Sequence, residues 1–127
     1  MSIEKISTDK APLAIGPYSQ ATVVNGLVFT SGQIPLDLNG NVVGSDISEQ
    51  ADQVMKNLSA VLIAAGSSLE NAIKTTCFLV DMADFAAFNA VYAKYFTSCP
   101  ARSCVAVKAL PRGVLCEVEV IAELNKN

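Results

Sequence analysis

The sequence contains no histidine, and this absence removes several classes of catalyst. Without an imidazole the chain cannot build a Ser-His-Asp triad, a Cys-His pair or a metal site that depends on histidine ligands. Acid–base chemistry would have to come from Glu, Asp, Tyr, Lys or Cys side chains, or from an ordered water.

The sequence also lacks the patterns of membrane, nucleotide-binding, nucleic-acid-binding and secreted proteins. No run approaches the roughly 20 uncharged apolar residues of a membrane-spanning helix, and no GxGxxG or Walker pattern marks a phosphate-binding loop. A net charge of −3, an isoelectric point near 4.8 and the lack of a Lys/Arg cluster argue against nucleic acid as a partner. Residues 1–10 lack the apolar segment of a secretory signal, so we expect a cytosolic location and no membrane association.

The four cysteines show none of the CxxC spacing that is typical of zinc sites. They stand at Cys77, Cys99, Cys104 and Cys116. In a reducing compartment, free cysteines most often serve as small buried hydrophobic residues. We therefore expect thiols and no metal.

Apolar residues, by contrast, are abundant. They make up 51% of the 127 residues, against 17% charged residues, and the mean hydropathy is +0.39. The length predicts a single domain over residues 1–127. A domain of this size has a limited interior, so the high apolar content favours a protein that buries apolar surface between subunits. A single well-filled core is the alternative.

The order of predicted elements indicates an α+β domain, with two helices packed on one face of a mixed sheet. Asn25-Gly26 lies between two β-rich runs and predicts a tight hairpin. Apolar residues at helical spacing predict the helices, and Gly66 is placed to end the first of them. The strands are predicted over residues 20–24, 27–30, 42–43, 73–80, 102–107 and 114–122, and the helices over 48–65 and 84–96.

The strand that begins at Arg102 carries the first candidate site residue. Strand alternation divides its side chains into two sets: Arg102, Cys104 and Ala106 on one face, and Ser103, Val105 and Val107 on the other. The second set is predicted to face the core, so Arg102 would project away from it beside a thiol. A planar guanidinium there suits a carboxylate ligand, and a solvated surface arginine is the alternative.

The last strand places Glu117 and Glu119 on the face opposite its buried residues. Carboxylates two residues apart on one strand face are separated by roughly 6.5–7 Å. Such a pair could hold a water, or one carboxylate could raise the pKa of the other. A solvated strand face is the alternative.

Two turn segments supply further candidates. The Gly-Pro turn of residues 14–20 contains Tyr18, which could be a proton donor, an aromatic wall or a structural residue. In the segment of residues 29–35, Gly32 follows Ser31 and would permit a ligand to approach the backbone closely.

Taken together, these segments resemble the RidA/YjgF family of reactive-intermediate deaminases. The matching stretches run in the family's order across nearly the whole chain: AIGPYSQ at 14–20, FTSGQIP at 29–35, AAGS at 64–67, KTTCFLVDMADFAAFNAVYAKYF at 74–96, PARSCV at 100–105 and CEVEVIAEL at 116–124. The resemblance implies a six-stranded mixed sheet with two helices on one face, as in chorismate-mutase-like trimers. It also implies a homotrimer with three sites in the clefts between subunits.

The resemblance assigns roles to the candidate residues. Arg102 matches the arginine that binds the substrate carboxylate, and Glu117 matches the glutamate that positions or activates water. Tyr18 would reach the site across the subunit boundary. The other matching pocket or supporting positions are Cys104, Ser31, Gly32 and Asn89. No metal and no cofactor are implied.

The activity implied by the resemblance is hydrolysis of the imines derived from 2-aminoacrylate and 2-aminocrotonate, giving 2-oxo acids and ammonia. The alternatives are a trimeric protein that binds a small carboxylate metabolite without turnover, and a chaperone-like protein. Chorismate mutase activity is disfavoured by the few cationic groups, and ribonuclease activity is disfavoured by the acidic isoelectric point.

The short loop 97–100, with Cys99 where relatives have an aromatic residue, is expected to reshape one wall of the cleft. Cys116 replaces an aliphatic residue and is expected only to pack.

Overall fold

The computed structural model describes residues 2–126 and shows one mixed sheet of six strands with two α-helices. The strands are β1 Glu4–Ile6, β2 Ala21–Val24, β3 Leu27–Thr30, β4 Ala72–Leu79, β5 Ala101–Ala106 and β6 Cys116–Glu123, and the helices are α1 Ile47–Ala64 and α2 Phe85–Tyr95. The spatial order is β1-β2-β3-β6-β4-β5, and only the β4–β5 pair is parallel. The predicted α+β fold is confirmed.

The β2–β3 hairpin follows from its two turn residues. Asn25 and Gly26 both have positive φ, at 53° and 76°, as a type I′ turn requires. The flanking pair Val24 and Leu27 then closes the ladder in register. This turn confirms the predicted hairpin and places the end of β3 beside β6.

Helix α1 begins at a capping aspartate and ends at the predicted glycine. The Asp46 side chain accepts a hydrogen bond from the Glu49 backbone N–H at 2.8 Å, which caps the first turn. Gly66 has a φ of 88°, and the next N–H, that of Ser67, donates to the Leu62 carbonyl at 2.8 Å. Between these ends, a stripe of buried residues including Val54, Leu58 and Val61 packs against the sheet.

The central strand β6 shows why the two helices cover only one face of the sheet. Cys116, Val118, Val120 and Ala122 are buried in the core shared with the helices, so Cys116 packs as predicted. Glu117 and Glu119 alternate with them onto the open face, also as predicted. Among residues 2–126, no helix combines the length and the apolar character needed to cross a membrane.

One predicted strand is wrong, and one strand of the sheet was not predicted. Residues 42–43 form no strand, because the segment lies between Gly40 and Gly44 in left-handed turns and makes only an isolated bridge from Val42 to Leu36. The sixth strand is instead β1, which pairs with β2 at the sheet edge. Its three residues are mostly exposed and carry too little alternation to predict a strand.

The predicted faces of β5 are also inverted. Val105 is 46% exposed, whereas Arg102 and Cys104 are half-buried on the helix side of the sheet. The reason is the parallel register with β4, which sets Arg102 beside Thr75 and Cys104 beside Cys77. Thr75 and Cys77 are both fully buried, so their partners on β5 share the helix side.

A buried amide on α1 holds the segment that follows β3. The Asn57 side chain is 3% exposed and donates to the Ile34 carbonyl at 3.1 Å and the Leu36 carbonyl at 3.0 Å. Its own oxygen accepts a hydrogen bond from Gln53 at 2.9 Å. Asn57 therefore satisfies backbone groups that no strand ladder reaches.

We expect Asn57→Leu to lower the free energy of unfolding by about 1–3 kcal/mol, because the Leu36 carbonyl loses its donor and the Ile34 carbonyl keeps only the Leu36 backbone N–H. Urea denaturation of the purified protein measures this change. Gln53→Leu is the matched control: it removes one partly exposed hydrogen bond, and we expect a loss of less than about 1 kcal/mol. An Asn57→Leu variant as stable as the wild type would contradict the assigned role.

Candidate functional site

The predicted site residues fall into two groups in one chain. Four of them line a cavity of about 430 Å³ on the open side of the sheet: Tyr18, Ser31, Gly32 and Glu117. Two others, Asn89 and Arg102, line a second cavity of about 490 Å³ beside helix α2. The seventh, Cys104, lies two residues beyond Arg102 on the same face of β5.

The strand register shows that the two groups occupy opposite faces of the sheet. Glu117 pairs with Phe78 of β4, and Arg102 pairs with Thr75 of the same strand. Residues three apart on a strand point to opposite faces. A single chain therefore does not bring Arg102 and Glu117 into one cleft.

The Glu117 carboxylate lies against the backbone of Gly32. A Cβ atom at position 32 would come within 2.8 Å of the Glu117 Cδ atom, so any other residue would displace the carboxylate. Burial raises the pKa of Glu117, and the negative charge of Glu119 raises it further. The predicted influence of one glutamate on the other is thus present, and desolvation is the larger cause.

Hydrogen bonds fix the two turn segments around this carboxylate. The Ser31 hydroxyl donates to the Ser19 carbonyl at 2.5 Å, which ties the end of β3 to the Tyr18 turn. Gln33 exchanges two backbone hydrogen bonds with Val118, at 2.9 and 3.2 Å, and so holds Gly32 beside β6. The segment is anchored on both sides of Gly32.

Tyr18 lines this first cavity. Its side chain is 48% exposed, and its hydroxyl accepts a hydrogen bond from the Ile15 backbone N–H at 3.3 Å. The buried Gln20 side chain holds the preceding segment through two hydrogen bonds. Its Oε1 accepts from the Thr8 backbone N–H at 2.7 Å, and its Nε2 donates to the Pro12 carbonyl at 2.8 Å. The phenol is therefore placed by a fixed loop but remains accessible to a ligand.

Arg102 is held in place by three neighbours on α2. Its Nη1 donates to the Asn89 Oδ1 atom at 2.7 Å, and its guanidinium lies 4.7 Å from the Tyr92 ring centre and 5.6 Å from that of Phe85. Within the part of the chain that the structure describes, no carboxylate forms an ion pair with Arg102. The guanidinium is thus oriented by cation–π contacts and can bind an incoming carboxylate.

Three of the four thiols are unsuited to nucleophilic chemistry. Burial raises the pKa of Cys77 and of Cys116 to about 12, and it also raises the pKa of Cys104, although the charge of Arg102 opposes that shift. The cysteines are free, as predicted. No three His, Cys, Asp or Glu side chains of residues 2–126 are grouped to hold a metal ion.

Sequence reasoning missed the aromatic residues that support Arg102. The apolar stripe of α2 predicts that Phe85 and Tyr92 belong to the core, and Tyr92 is indeed buried. Their second role becomes visible only when β5 is placed beside β4 in parallel register. The sequence contains only part of this signal, an arginine in the strand that follows a helix rich in aromatic residues.

These features define a small α+β protein with an arginine and a carboxylate, each beside a cavity, on opposite faces of one sheet. The model of the Endoribonuclease L-PSP family matches residues 8–124. AldR from Lactococcus lactis subsp. lactis, named as a regulator, is 56% identical over 122 residues, which are 94% of this chain and 97% of AldR.

Two solved structures show the same fold. TdcF from E. coli, crystallised with bound serine, is 42% identical with a TM-score of 0.90, and the match covers 96% of this chain and 99% of TdcF. RidA from an Antarctic Psychrobacter is 40% identical with a TM-score of 0.91, over 95% of this chain and 99% of RidA. The chain belongs to the RidA/YjgF family.

Proposed function

We propose that this chain is a cofactor-independent deaminase that hydrolyses 2-imino acids to 2-oxo acids and ammonia. The imines that arise from 2-aminoacrylate and 2-aminocrotonate are the proposed substrates. The observation that carries the proposal is that one small chain contains both an oriented Arg102 without an ion-pair partner and a desolvated Glu117. A carboxylate ligand alone would need the arginine and not the glutamate.

The same proposal includes the homotrimer that the family resemblance implies, with its sites between subunits. Arg102 and Glu117 lie on opposite faces of the sheet, so an adjacent subunit has to supply one of the two half-sites. The open face also exposes apolar side chains, including Phe29 at 37% and Val105 at 46%. Burial of this face by neighbouring subunits would account for the high apolar content of the sequence.

The chemistry needs only positioning and proton transfer. The substrate carboxylate binds Arg102, and Glu117 accepts a proton from the water that attacks the imine carbon. The imine nitrogen takes up a proton as the water oxygen adds, which gives the neutral carbinolamine. A second proton on that nitrogen makes ammonia the leaving group, and the carbinolamine hydroxyl gives up its proton as the C=O bond forms and the C–N bond breaks, which leaves the 2-oxo acid. We assign Tyr18 as a proton donor or hydrogen-bond donor in this cleft, with Cys104, Ser31, Gly32 and Asn89 lining or supporting it.

A second candidate function has its own support. The relative TdcF was crystallised with serine, an amino acid that is not an imine, and the relative AldR is named as a regulator. A protein that binds a small carboxylate metabolite without turnover would also use Arg102. Location in the cytosol remains a prediction from the sequence.

A coupled assay distinguishes the two functions. A PLP-dependent threonine or serine dehydratase generates the enamine in situ, and the loss of the imine is followed by absorbance with and without this protein. The deaminase proposal expects acceleration that is proportional to the protein concentration. Serine binding in calorimetry with no acceleration for any amino-acid-derived imine would favour the non-catalytic sensor.

We expect Gly32→Ala to lower kcat by about 100-fold, because the new methyl group displaces the Glu117 carboxylate from its position. The stability of the fold should change little, and thermal unfolding checks this. Gly16→Ala is the matched control, since its Cβ would meet only the Tyr18 ring, at 3.5 Å. Equal activity of Gly32→Ala and the wild type would show that the position of the Glu117 carboxylate is not important for the reaction.

A further inference from the structure

Two thiols that the proposed reaction does not use as nucleophiles lie side by side on the helix side of the sheet. Cys77 on β4 and Cys104 on β5 are partners in the parallel register, so their side chains leave the same face. Cys77 is fully buried and Cys104 is half-buried. Burial is the main cause of the raised pKa of both thiols, and a hydrogen bond between the two side chains also acts on each pKa. The two sulfur atoms are therefore in contact.

Strand spacing decides what such a pair can form. Neighbouring strands lie about 4.7–4.9 Å apart, and the Cβ atoms of register partners are separated by roughly the same distance. An unstrained disulfide needs Cβ atoms about 3.8 Å apart, so the two strands would have to move together. Metal–thiolate bonds are about 2.3 Å long, so one ion between two sulfur atoms spans about 4.6 Å. The pair thus fits a bridging ion better than a disulfide.

The surroundings limit such an ion to two cysteine ligands. Within residues 2–126, the pair belongs to no group of three His, Cys, Asp or Glu side chains that could hold a metal. Cys116 is buried on the same side of the sheet, but it pairs with Leu79 and is therefore diagonal to Cys77. Diagonal neighbours are roughly 7–8 Å apart, which exceeds the span of one bridging ion. Zinc prefers four ligands, whereas copper(I) is a soft ion that accepts two thiolates in a linear arrangement.

The charge of Arg102 favours an ion that is held by two thiolates. Copper(I) would displace both thiol protons and form two Cu–S bonds, which leaves a net negative charge on the bound unit. Burial raises the pKa of both thiols, and the positive charge of Arg102 opposes that rise. The same charge would stabilise the copper dithiolate. Because burial raises the pKa of Cys77 to about 12, only an ion with high affinity for thiolate sulfur can displace its proton.

We propose that Cys77 and Cys104 form a two-coordinate copper(I) site. The partly exposed Cys104 gives the ion access to the buried Cys77. The inference does not depend on the deaminase function, because ion binding is measured without substrate. Cysteine spacing predicts only metal sites whose ligands are close in the sequence, so this pair becomes visible only in the parallel register of β4 and β5.

Anaerobic titration with copper(I), in competition with the chromogenic chelator bicinchoninate, tests the site. Every protein in the comparison carries Cys99→Ser, because Cys99 is an exposed free thiol that could bind copper by itself. This parent protein is expected to retain about one copper(I) ion per chain, with two sulfur neighbours in X-ray absorption. Cys77→Val and Cys104→Ala should each weaken binding by at least about 100-fold, because a single thiolate remains.

Cys116→Val is the matched control, since it removes an equally buried thiol on the same side of the sheet. It should leave copper binding unchanged. Urea denaturation checks the folding of each variant, and Cys104→Ala decides the test if Cys77→Val does not fold. A parent protein that retains no copper, equal binding by the parent and a folded ligand variant, or equal weakening by Cys116→Val would overturn the site. Loss of two free thiols after the chelator removes the copper would show that the pair forms a disulfide, which would overturn it too.

Discussion

Replacement of Arg102 by alanine is expected to reduce kcat/KM for 2-iminopropanoate by about two to three orders of magnitude. Removing one partner of a desolvated, hydrogen-bonded charge pair typically costs about 2–5 kcal/mol. Arg102 is half-buried and already oriented by Asn89 and Tyr92, so it should bind the substrate carboxylate without reorganisation. The dehydratase-coupled assay measures the loss, and calorimetry with serine measures carboxylate binding separately.

Arg102→Lys tests whether charge alone is sufficient. Lysine keeps the positive charge but has no planar fork and stacks less well on an aromatic ring, so we expect only partial recovery of kcat/KM. Because Arg102 contacts Tyr92, urea denaturation of both variants is needed to exclude loss of folding. Wild-type kcat/KM in a folded Arg102→Ala variant would contradict the carboxylate-binding role.

Local signals predicted most of the fold. The Asn25-Gly26 turn, the apolar stripe of α1 and the glycine at its end each correspond to an element of the structure, within a few residues at the boundaries. These signals depend on backbone conformation and on burial along one segment. They are therefore present in the sequence itself.

The candidate site was only partly predictable, because its geometry depends on pairing between distant segments. Alternation correctly separated Glu117 from the buried residues of β6, where the apolar set is continuous. In β5 the apolar Val105 lies on the open face, so the same reasoning assigned the wrong side to Arg102. The deciding fact is the parallel pairing of Arg102 with Thr75, two residues that are 27 positions apart in the sequence.

The second large effect is expected at Glu117. Glu117→Gln should lower kcat by about 10²–10⁴-fold, since an amide has no carboxylate to accept the proton of the attacking water. KM should change little, because the substrate carboxylate is bound by Arg102 and not by Glu117. A Glu117→Gln variant with the kcat of the wild type would show that another group activates the water.

The pH dependence of kcat/KM provides a separate test of the same residue. The base must be ionised, so activity should fall as the pH drops through the pKa of Glu117, which burial and Glu119 raise above the ordinary value of 4.5. Glu119→Gln removes the like charge, so the acidic limb should move to lower pH while the plateau rate is retained. The acidic limb should still lie at a higher pH than the pKa of an ordinary glutamate, because burial is the larger cause of the raised pKa of Glu117. An acidic limb that is unchanged in Glu119→Gln would mean that the titrating base is a different group.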